Sequence, residues 1–522
     1  MNYRIFVLSA IFVLSIVSLK AQKSERETNK IVFELNEHIH FQTIDNFSAA
    51  DAWRMDFIGK NWPENKKNKI ADLLFSNALD DDGNPKGMGL TCWRVNIGAG
   101  SYENRENNEV TSSWNRTECF LSPQGTYDFS KQAGQQWFMD AARKRDANNF
   151  LFFTNSAPYF MTRSGSTLAP DDKSINLQHD KFRDFADFLA ITTNHFINNG
   201  FNVNYISPLN EPQVEWSTNK WQEGSFATNA DAYKLLTELN SAIDRHKVPS
   251  KIVFGEVADM KYLFPHAANE AVPDNIIEEF FTQKGKYSLL QFPNVYNCVS
   301  AHDYWTAYPV ETLVSIRQKI KQALKTAGND TKFWASEYCI LEKNEITSAE
   351  PSPEKSINLG LYVARIIHHD LAIANASAWQ WWTAVSMGED SPIQLKPKQG
   401  CTNESLKYDG DIHPTKMFWA TANYSFFIRP GMKRVAIERK NQNISDEEAA
   451  TSLMASAYTD GASTVVVLIN YENSPAMVSL KNNTKKQGKK YITSINKNVQ
   501  YTGTEDLSNL TIPAKSIVTI VI

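Results

Sequence analysis

Cysteine is scarce in this chain of 522 residues, and its spacing excludes two kinds of site. The five cysteines are Cys92, Cys119, Cys298, Cys339 and Cys401. None belongs to a Cys-x-x-Cys pair, so the sequence offers neither a zinc knuckle nor a dithiol redox motif. Because the number is odd, at least one thiol must stay outside any intramolecular disulfide.

Strong charge of one sign and glycine-rich phosphate loops are also missing. The formal net charge is −4, which argues against a surface that binds nucleic acid. Residues 48–53, after the first predicted strand, read SAADAW and lack the glycines of a dinucleotide-binding loop. His38 and His40 share one strand face, but no third ligand is near them in the sequence. We therefore expect no cofactor and no metal.

Long apolar runs are absent except for residues 5–19. This run follows Arg4 and precedes Ala21, which is the pattern of a secretory signal peptide at residues 1–21, and it is shorter than the ~20 residues that span a bilayer. An uncleaved anchor is the alternative. We expect an exported mature chain without a membrane span, located in the periplasm, at the cell surface or outside the cell. The oligomeric state stays open.

Aromatic residues are plentiful, at 12%, but unevenly distributed. Every tryptophan lies between Trp53 and Trp419, and the chain after Pro430 contains no Trp, Phe, His or Cys. This difference predicts two regions. We expect a large functional domain at residues 41–430, a smaller β-sandwich at 431–522, and a β segment at 22–40 that joins the sandwich.

The large region alternates strand-like and helix-like patterns. Apolar β-type runs occur at residues 41–47, 90–96, 150–155, 203–208, 251–255, 298–301, 332–335 and 376–381. Helical periodicity follows at residues 135–145, 182–196, 232–245, 314–324 and 357–373. Nearly continuous apolar runs are typical of parallel strands that are buried on both faces. The pattern predicts an α/β fold, a (β/α)8 barrel, with a doubly wound sheet as the alternative.

In such a barrel, functional residues lie where the strands end. At or just after the ends of the first three predicted strands lie Asp51, Trp53, Arg94, Asn96, Asn155 and Tyr159. At or just after the ends of the others lie Asn210, Glu211, Glu256, His302, Tyr304, Glu337, Trp381 and Trp382. From these positions we expect Asp51, Trp53, Asn155 and Tyr159 to help bind a substrate.

Glu211 and Glu337 follow the fourth and seventh predicted strands, which lie on opposite sides of a barrel mouth. Hydrolysis of an acetal needs a proton donor for the leaving oxygen and an anion that faces the developing oxocarbenium ion. Two glutamates in unlike surroundings can divide these tasks. The pair therefore predicts a site for acetal hydrolysis, whereas a single glutamate at a strand end is more often a solvated surface residue.

Six short motifs, in order along the chain, carry a resemblance to a known family. They are NSAPYFM at 155–161, LNEP at 209–212, AHDY at 301–304, SEY at 336–338, AWQWW at 378–382 and YSFFIRPG at 424–431. In these the sequence resembles glycoside hydrolase family 30, whose members join a (β/α)8 barrel to a side β-sandwich. The resemblance implies a retaining β-glycosidase with Glu211 as acid/base and Glu337 as nucleophile.

The resemblance also implies roles for residues around the pair. Asn210 is expected to bind the sugar hydroxyl beside the reacting carbon. His302 and Tyr304 are expected to hold the nucleophile and the sugar, and Trp381 or Trp382 is expected to form the floor of the site. Glu256 ends the fifth strand close to this site.

The expected partner is a carbohydrate of plant or microbial origin. Trp216, Trp221 and Trp305 follow strand ends in polar loops, where a flat ring can stack on a pyranose. DAW at 51–53 favours the branch that resembles endo-β-1,6-galactanases. A glycosidase for xylan or β-glucan, and a catalytically inactive carbohydrate-binding relative, remain as alternatives.

Overall fold

The computed structural model describes residues 30–107, 110–217, 220–265, 274–389, 391–482 and 485–522. The predicted signal peptide lies outside these residues. Within the described ranges, every helix is too short or too polar to cross a bilayer.

Eight parallel strands form one sheet that closes into a barrel. The strands are β2 Asn46–Ala49, β3 Trp93–Asn96, β4 Phe150–Phe153, β5 Val203–Ser207, β6 Lys251–Val257, β7 Val295–His302, β8 Lys332–Tyr338 and β9 Ala376–Trp381. Their order is β2-β9-β8-β7-β6-β5-β4-β3. A parallel bridge between Ala50 and Arg94 joins the first strand to the second and completes the ring. The predicted barrel is confirmed, and the doubly wound alternative is wrong.

Burial on both faces explains why these short segments form strands. All four residues of β4 are buried, as are all six of β9, so each strand contacts both the barrel interior and the outer helices. The helices use one face only. In α4 (Phe182–Asn198), the residues Phe182, Phe185 and Leu189 recur at helical spacing and are buried against the sheet.

The remaining helices surround the barrel or lie beside it. They are α1 Arg54–Asn61, α2 Glu64–Phe75, α3 Ala133–Arg143, α5 Asn229–His246, α6 Ile276–Phe281, α7 Val310–Ala327, α8 Pro353–Ala372, α9 Lys416–Ser425 and α10 Asp446–Thr451. A small sheet of β10 Val385–Ser386, β11 Ile393–Lys396 and β12 Asp411–Pro414 follows the last barrel strand.

A nine-stranded, mostly antiparallel sheet forms the second unit. Its strands are β1 Ile31–Thr43, β13 Lys433–Arg439, β14 Leu453–Thr459, β15 Thr464–Asn470, β16 Ala476–Lys481, β17 Gln487–Ser494, β18 Lys497–Asp506, β19 Leu510–Ile512 and β20 Ser516–Val521. The sheet folds back on itself, since Asn470 and Lys490 donate side-chain hydrogen bonds to the carbonyls of Ile512 and Thr511. A separate apolar core fills the fold.

The N-terminal strand corrects one predicted boundary. Residues 41–43 end β1, which pairs with β13 and β16, and the first barrel strand begins at Asn46 instead of residue 41. Only Ile44 and Asp45 separate the end of β1 in the nine-stranded sheet from the start of β2 in the barrel. Phe41, which is partly exposed, belongs to the nine-stranded sheet and not to the barrel.

Helix α9 joins the barrel to the nine-stranded sheet. Asn423 donates to Thr493 Oγ1 of β17 at 2.6 Å, and its carbonyl accepts a hydrogen bond from Thr519 Oγ1 of β20 at 2.9 Å. All three residues are buried. The contact between the two units is therefore dry and specific.

Candidate active site

Glu211 and Glu337 meet at the carboxyl end of the barrel. Glu211 follows β5 and keeps 12% of its side chain exposed, whereas Glu337, near the end of β8, is buried. One carboxylate oxygen of each lies within 4.8 Å of the other and of a ring nitrogen of His302. The geometry brings together two residues that are 126 positions apart in the sequence.

Three hydrogen-bond donors surround the Glu337 carboxylate. Arg94 Nη1 contacts Oε2, Tyr304 Oη donates to Oε1 at 3.0 Å, and His302 Nδ1 lies 3.3 Å from Oε1. Burial, together with the nearby Glu211, holds the pKa of Glu337 above its ordinary value, although His302 and Arg94 oppose this. The three donors favour the ionised form of this carboxylate.

Glu256 is a third buried glutamate and lies directly behind the pair. Its Oε2 is 2.7 Å from Arg94 Nη2 and 3.3 Å from His302 Nε2. Burial raises the pKa of Glu256, but Arg94 and His302 outweigh burial and bring the pKa to about 2. Glu256 is therefore a permanent anion at the base of the site.

His302 contacts all three glutamates and is buried. Besides the contacts to Glu256 and Glu337, its Nδ1 lies 2.9 Å from Glu211 Oε1. Burial lowers the pKa of His302, but the three carboxylates outweigh it and raise the pKa to about 10. The three side chains also have the spacing of a metal site, but a ring that is protonated at both nitrogens would have no lone pair for a metal.

Asn210, Trp53 and Trp382 also lie at this site. Asn210 is buried, and its Oδ1 accepts from Arg94 Nη2 at 3.4 Å. The Trp382 ring is partly exposed and meets the Trp53 ring edge to face, with centroids 5.2 Å apart. The guanidinium of Arg94 lies 5.8 Å from the Trp382 ring. The two tryptophans thus form an aromatic wall beside the charged residues.

Asn155 and Tyr159 follow β4 as predicted. Asn155 is buried, yet among the described residues neither its amide nitrogen nor its amide oxygen has a hydrogen-bond partner. A buried amide without hydrogen-bond partners lowers the stability of the fold. A bound ligand that supplies the missing partners would remove this cost, so the observation fits a ligand-binding position. Tyr159 is half-buried, and its ring packs against Gly100, which has a positive φ of 91°.

Three predicted substrate-binding residues are buried and bonded within the protein. Trp381 points to the helix layer and donates to Thr421 of α9, Asp51 accepts from Gln135 and from the Asn96 backbone, and Trp216 donates to the Glu211 carbonyl. Burial raises the pKa of Asp51 to about 7. These bonds hold the three side chains in place, and their contact with a substrate stays a prediction.

Two other aromatic candidates are exposed. Trp221 is 57% exposed and Trp305 is 54% exposed. Trp305 follows Tyr304, with their rings 5.8 Å apart, and so lies one residue from a contact of Glu337. Both rings therefore expose surface that a ligand could contact.

A buried glutamate fixes the long polar loop at residues 98–124. The carboxylate of Glu223 accepts hydrogen bonds from the backbone N–H groups of Ala99 and Ser101, both at 3.1 Å, and from Thr117 Oγ1 at 2.6 Å. Its pKa is raised by burial. The loop after β3 is thus tied to the segment that follows β5.

Three residues make more contacts at the site than the sequence predicts, namely Arg94, Glu256 and Glu223. The available signal for Arg94 and Glu256 was their position near the end of a predicted strand. Glu223 follows no strand end, and no motif marks it.

A parallel barrel with two neighbouring carboxylates at the ends of its fourth and seventh strands has the paired acidic groups that define the class of glycoside hydrolases. Comparison with protein families agrees. The model for O-glycosyl hydrolase family 30 matches residues 28–392, and the chain belongs to this family.

A solved structure described as a conserved exported protein from Bacteroides fragilis is 61% identical, with a TM-score of 0.93, covering 94% of this chain and 100% of that one. The exo-β-1,6-galactobiohydrolase of Bifidobacterium longum is 35% identical over 97 residues, 18% of this chain and 6% of that protein. The glucuronoxylanase XynC of Bacillus subtilis is 23% identical over 333 residues, 63% of this chain and 62% of that protein. The chain thus spans less than two thirds of the length of either curated relative.

Proposed function

We propose that this protein hydrolyses a β-linked polysaccharide with retention of configuration, with Glu337 as the nucleophile and Glu211 as the acid/base. The observation that carries this proposal is the pair of oxygens within 4.8 Å of each other at the barrel mouth. Retaining enzymes hold the two carboxyl groups ~5–5.5 Å apart, whereas inverting enzymes leave ~6.5–9.5 Å for a water.

In the first step, Glu337 attacks the anomeric carbon while Glu211 protonates the leaving oxygen. Arg94, Tyr304 and His302 each contact the Glu337 carboxylate and keep it ionised and oriented. Glu211 is the less buried of the two and has His302 on Oε1 only, which leaves Oε2 for the transferred proton. The products are a glycosyl ester of Glu337 and a Glu211 carboxylate.

In the second step, the Glu211 carboxylate takes a proton from water. The resulting hydroxide attacks the same carbon, breaks the ester and restores Glu337. Two inversions give net retention. Asn210 accepts a hydrogen bond from Arg94 beside the reacting pair, and we assign it to the sugar hydroxyl next to the reacting carbon.

The substrate that we favour is a β-1,6-galactan. The match to the exo-β-1,6-galactobiohydrolase supports this choice, since its identity is the higher of the two curated relatives. The similarity to a glucuronoxylanase keeps xylan as the second candidate. An inactive carbohydrate-binding relative is disfavoured, because both glutamates and all three donors to Glu337 are in place.

We also propose that the chain is exported, with residues 1–21 as a signal peptide. The run of apolar residues at 5–19 supports this. So does the 61% identity to a Bacteroides fragilis protein that is described as exported.

Hydrolysis of β-1,6-galactan, glucuronoxylan and β-glucan by the wild type and by Glu337→Gln tests the proposal. We expect the variant to lose at least about 1,000-fold in kcat on the substrate that the wild type cleaves. Glu342→Gln is the matched control, since Glu342 follows the same strand but bonds Tyr338 instead. Equal rates for wild type and Glu337→Gln would contradict the nucleophile assignment. An α-anomer as the first product of a β-linked substrate would contradict retention.

A further inference from the structure

His302 is surrounded by carboxylates on both of its ring nitrogens. Nε2 lies 3.3 Å from Glu256, and Nδ1 lies 2.9 Å from Glu211 and 3.3 Å from Glu337. A neutral imidazole has one N–H donor and one lone pair, and an ionised carboxylate only accepts. A lone pair on Nδ1 would face the ionised oxygen of Glu337, which Arg94 and Tyr304 already bind as an anion.

On this geometry, and resting on the proposed function, we propose that His302 is a constant imidazolium whose single Nδ1–H is shared between the acid/base and the nucleophile. We further propose that Glu256 is the positioning residue that keeps His302 protonated and in place. Glu256 contacts His302 from the side opposite the reacting carboxylates, and it does not itself reach the mouth.

One N–H donor between Glu211 and Glu337 can stabilise the negative charge on either residue during the two steps of the reaction. Before the first step, the negative charge is on Glu337 and Glu211 carries a proton. In the covalent intermediate, Glu337 is a neutral ester and Glu211 is the anion. The pair of reacting glutamates therefore keeps one negative charge throughout, but the charge moves between two oxygens that face the same N–H. An imidazolium between them stabilises both states and needs no proton of its own to move.

Glu256 is fixed by backbone contacts as well as by its charge. Its N–H donates to Ser300 Oγ at 3.0 Å, and its carbonyl accepts from the Glu211 N–H at 2.9 Å. Glu211 and Glu256 both have left-handed backbones, with φ of 46° and 42°. Non-glycine residues adopt this conformation at an energetic cost, which the surrounding contacts must offset. One residue thus sets the position of both Glu211 and His302.

Other charged and titratable groups near His302 fit this assignment. Arg94 shares Glu256 and Glu337 with His302, so the two cations bind the same two anions from different sides. The Tyr304 ring lies edge-on at 5.7 Å between centroids. Asp303, the next residue, has its pKa raised by burial and by Asp370, and His302 opposes that shift. The low pKa of Glu256, about 2, and the high pKa of His302, about 10, agree with the same charge states.

Nuclear magnetic resonance on protein labelled with carbon-13 at the histidine Cε1 positions tests the protonation directly. The chain has ten histidines, and His302→Asn assigns the signal. We expect the wild-type His302 signal to keep its imidazolium shift from pH 5 to about pH 9. In Glu256→Gln, we expect it to titrate at least about one pH unit lower, whereas Glu256→Asp and the control Glu342→Gln keep the wild-type behaviour.

The kinetic test separates positioning from simple stability. At pH 7, Glu256→Gln should lower kcat about 10- to 100-fold with KM changed less than about twofold, because the loss falls on charge stabilisation in the reaction. The alkaline limb of its kcat profile should move to lower pH and coincide with the titration of His302. Glu256→Asp should recover most of the lost rate.

A neutral His302 in the wild type at pH 7 would overturn the proposal, as would an unchanged His302 titration in Glu256→Gln. A variant with a lower melting temperature but an unchanged pH profile would also overturn it, since that result describes a structural residue only. If Glu256→Gln does not fold, the wild-type titration and Glu256→Asp still decide the question. The histidine signal needs no substrate, so failure of Glu337 as the nucleophile would be seen separately.

Discussion

Arg94 lies fully buried at the centre of the barrel mouth, with Glu256 and Glu337 on its two terminal nitrogens. Its guanidinium also stacks on the Phe153 ring, 4.0 Å from the ring centroid. The planar guanidinium group binds two carboxylates at once through separate nitrogens. A lysine cannot replace it, because its ammonium group is a single point charge.

We therefore expect Arg94→Met to leave two anions buried without their cation and to lower the free energy of unfolding by about 3–5 kcal/mol. Arg94→Lys should recover part of the stability but not the activity, because it cannot orient both carboxylates. Urea unfolding and the hydrolysis rate measure the two effects. A lysine variant with wild-type kcat would show that the fork geometry is not needed.

At this scale, the sequence predicts positions better than contacts. Glu211 and Glu337 are predictable because each directly follows an apolar strand and the barrel converges at those ends. Trp381 shows the limit. Side chains alternate along a strand, so Trp381 and Trp382 point to opposite faces, and of the two only Trp382 is partly exposed. The ion pairs from Arg94 to Glu256 and Glu337 depend on the register between neighbouring barrel strands. A local sequence pattern does not specify that register.

At the scale of elements, the loop after β3 depends on a residue from a distant segment. Glu223 bonds the backbone of Ala99 and Ser101 and the hydroxyl of Thr117. Tyr159, a predicted substrate-binding residue, packs on Gly100 in the same loop. Glu223 thus holds the part of the loop that lies next to Tyr159.

We expect Glu223→Ala to free this loop and to raise KM at least about threefold while kcat changes little, because the reacting glutamates are untouched. Amide hydrogen exchange should speed up at Ala99 and Ser101, whose hydrogen bonds are lost. Glu238→Ala, on the outer helix α5, is the control. Unchanged exchange at both amides would show that Glu223 does not hold the loop.

The barrel strands are the elements that the sequence predicts best. All eight overlap the predicted runs, since burial on both faces gives a continuous apolar signal. Helices α1 and α2 escape prediction because they are short and polar, and their formation depends on packing against α3 and the barrel. The first strand is misplaced because β1 and β2 follow each other with two residues between them, and periodicity cannot separate the two.

At the scale of the whole molecule, the barrel and the nine-stranded sheet share a buried polar contact through Asn423. The uneven distribution of tryptophan makes this contact easy to study. Trp fluorescence reports on the barrel side alone, because all 13 tryptophans lie between Trp53 and Trp419, while far-ultraviolet circular dichroism reports on both units.

We expect Asn423→Ala to lower the free energy of unfolding by about 1–3 kcal/mol, because it removes the two buried hydrogen bonds that the Asn423 side chain makes with Thr493 Oγ1 and Thr519 Oγ1. If the two units unfold together, both optical signals should shift by the same amount. Asn509→Ala, at an exposed position in the turn between β18 and β19, is the control. A shift in the dichroism signal without one in fluorescence would show that the units unfold separately.

The strand β1 has a consequence for biosynthesis. Its partners β13 and β16 come from the last fifth of the chain, and the Val32 N–H bonds the Asn441 side chain across 409 positions. At ~5–20 residues per second, a ribosome needs roughly 20–80 s to make what lies between. During that time β1 has an unpaired edge, and a strand with free N–H and C=O groups is a site for mispairing. The nascent chain therefore needs protection at its first strand until its last strands are made.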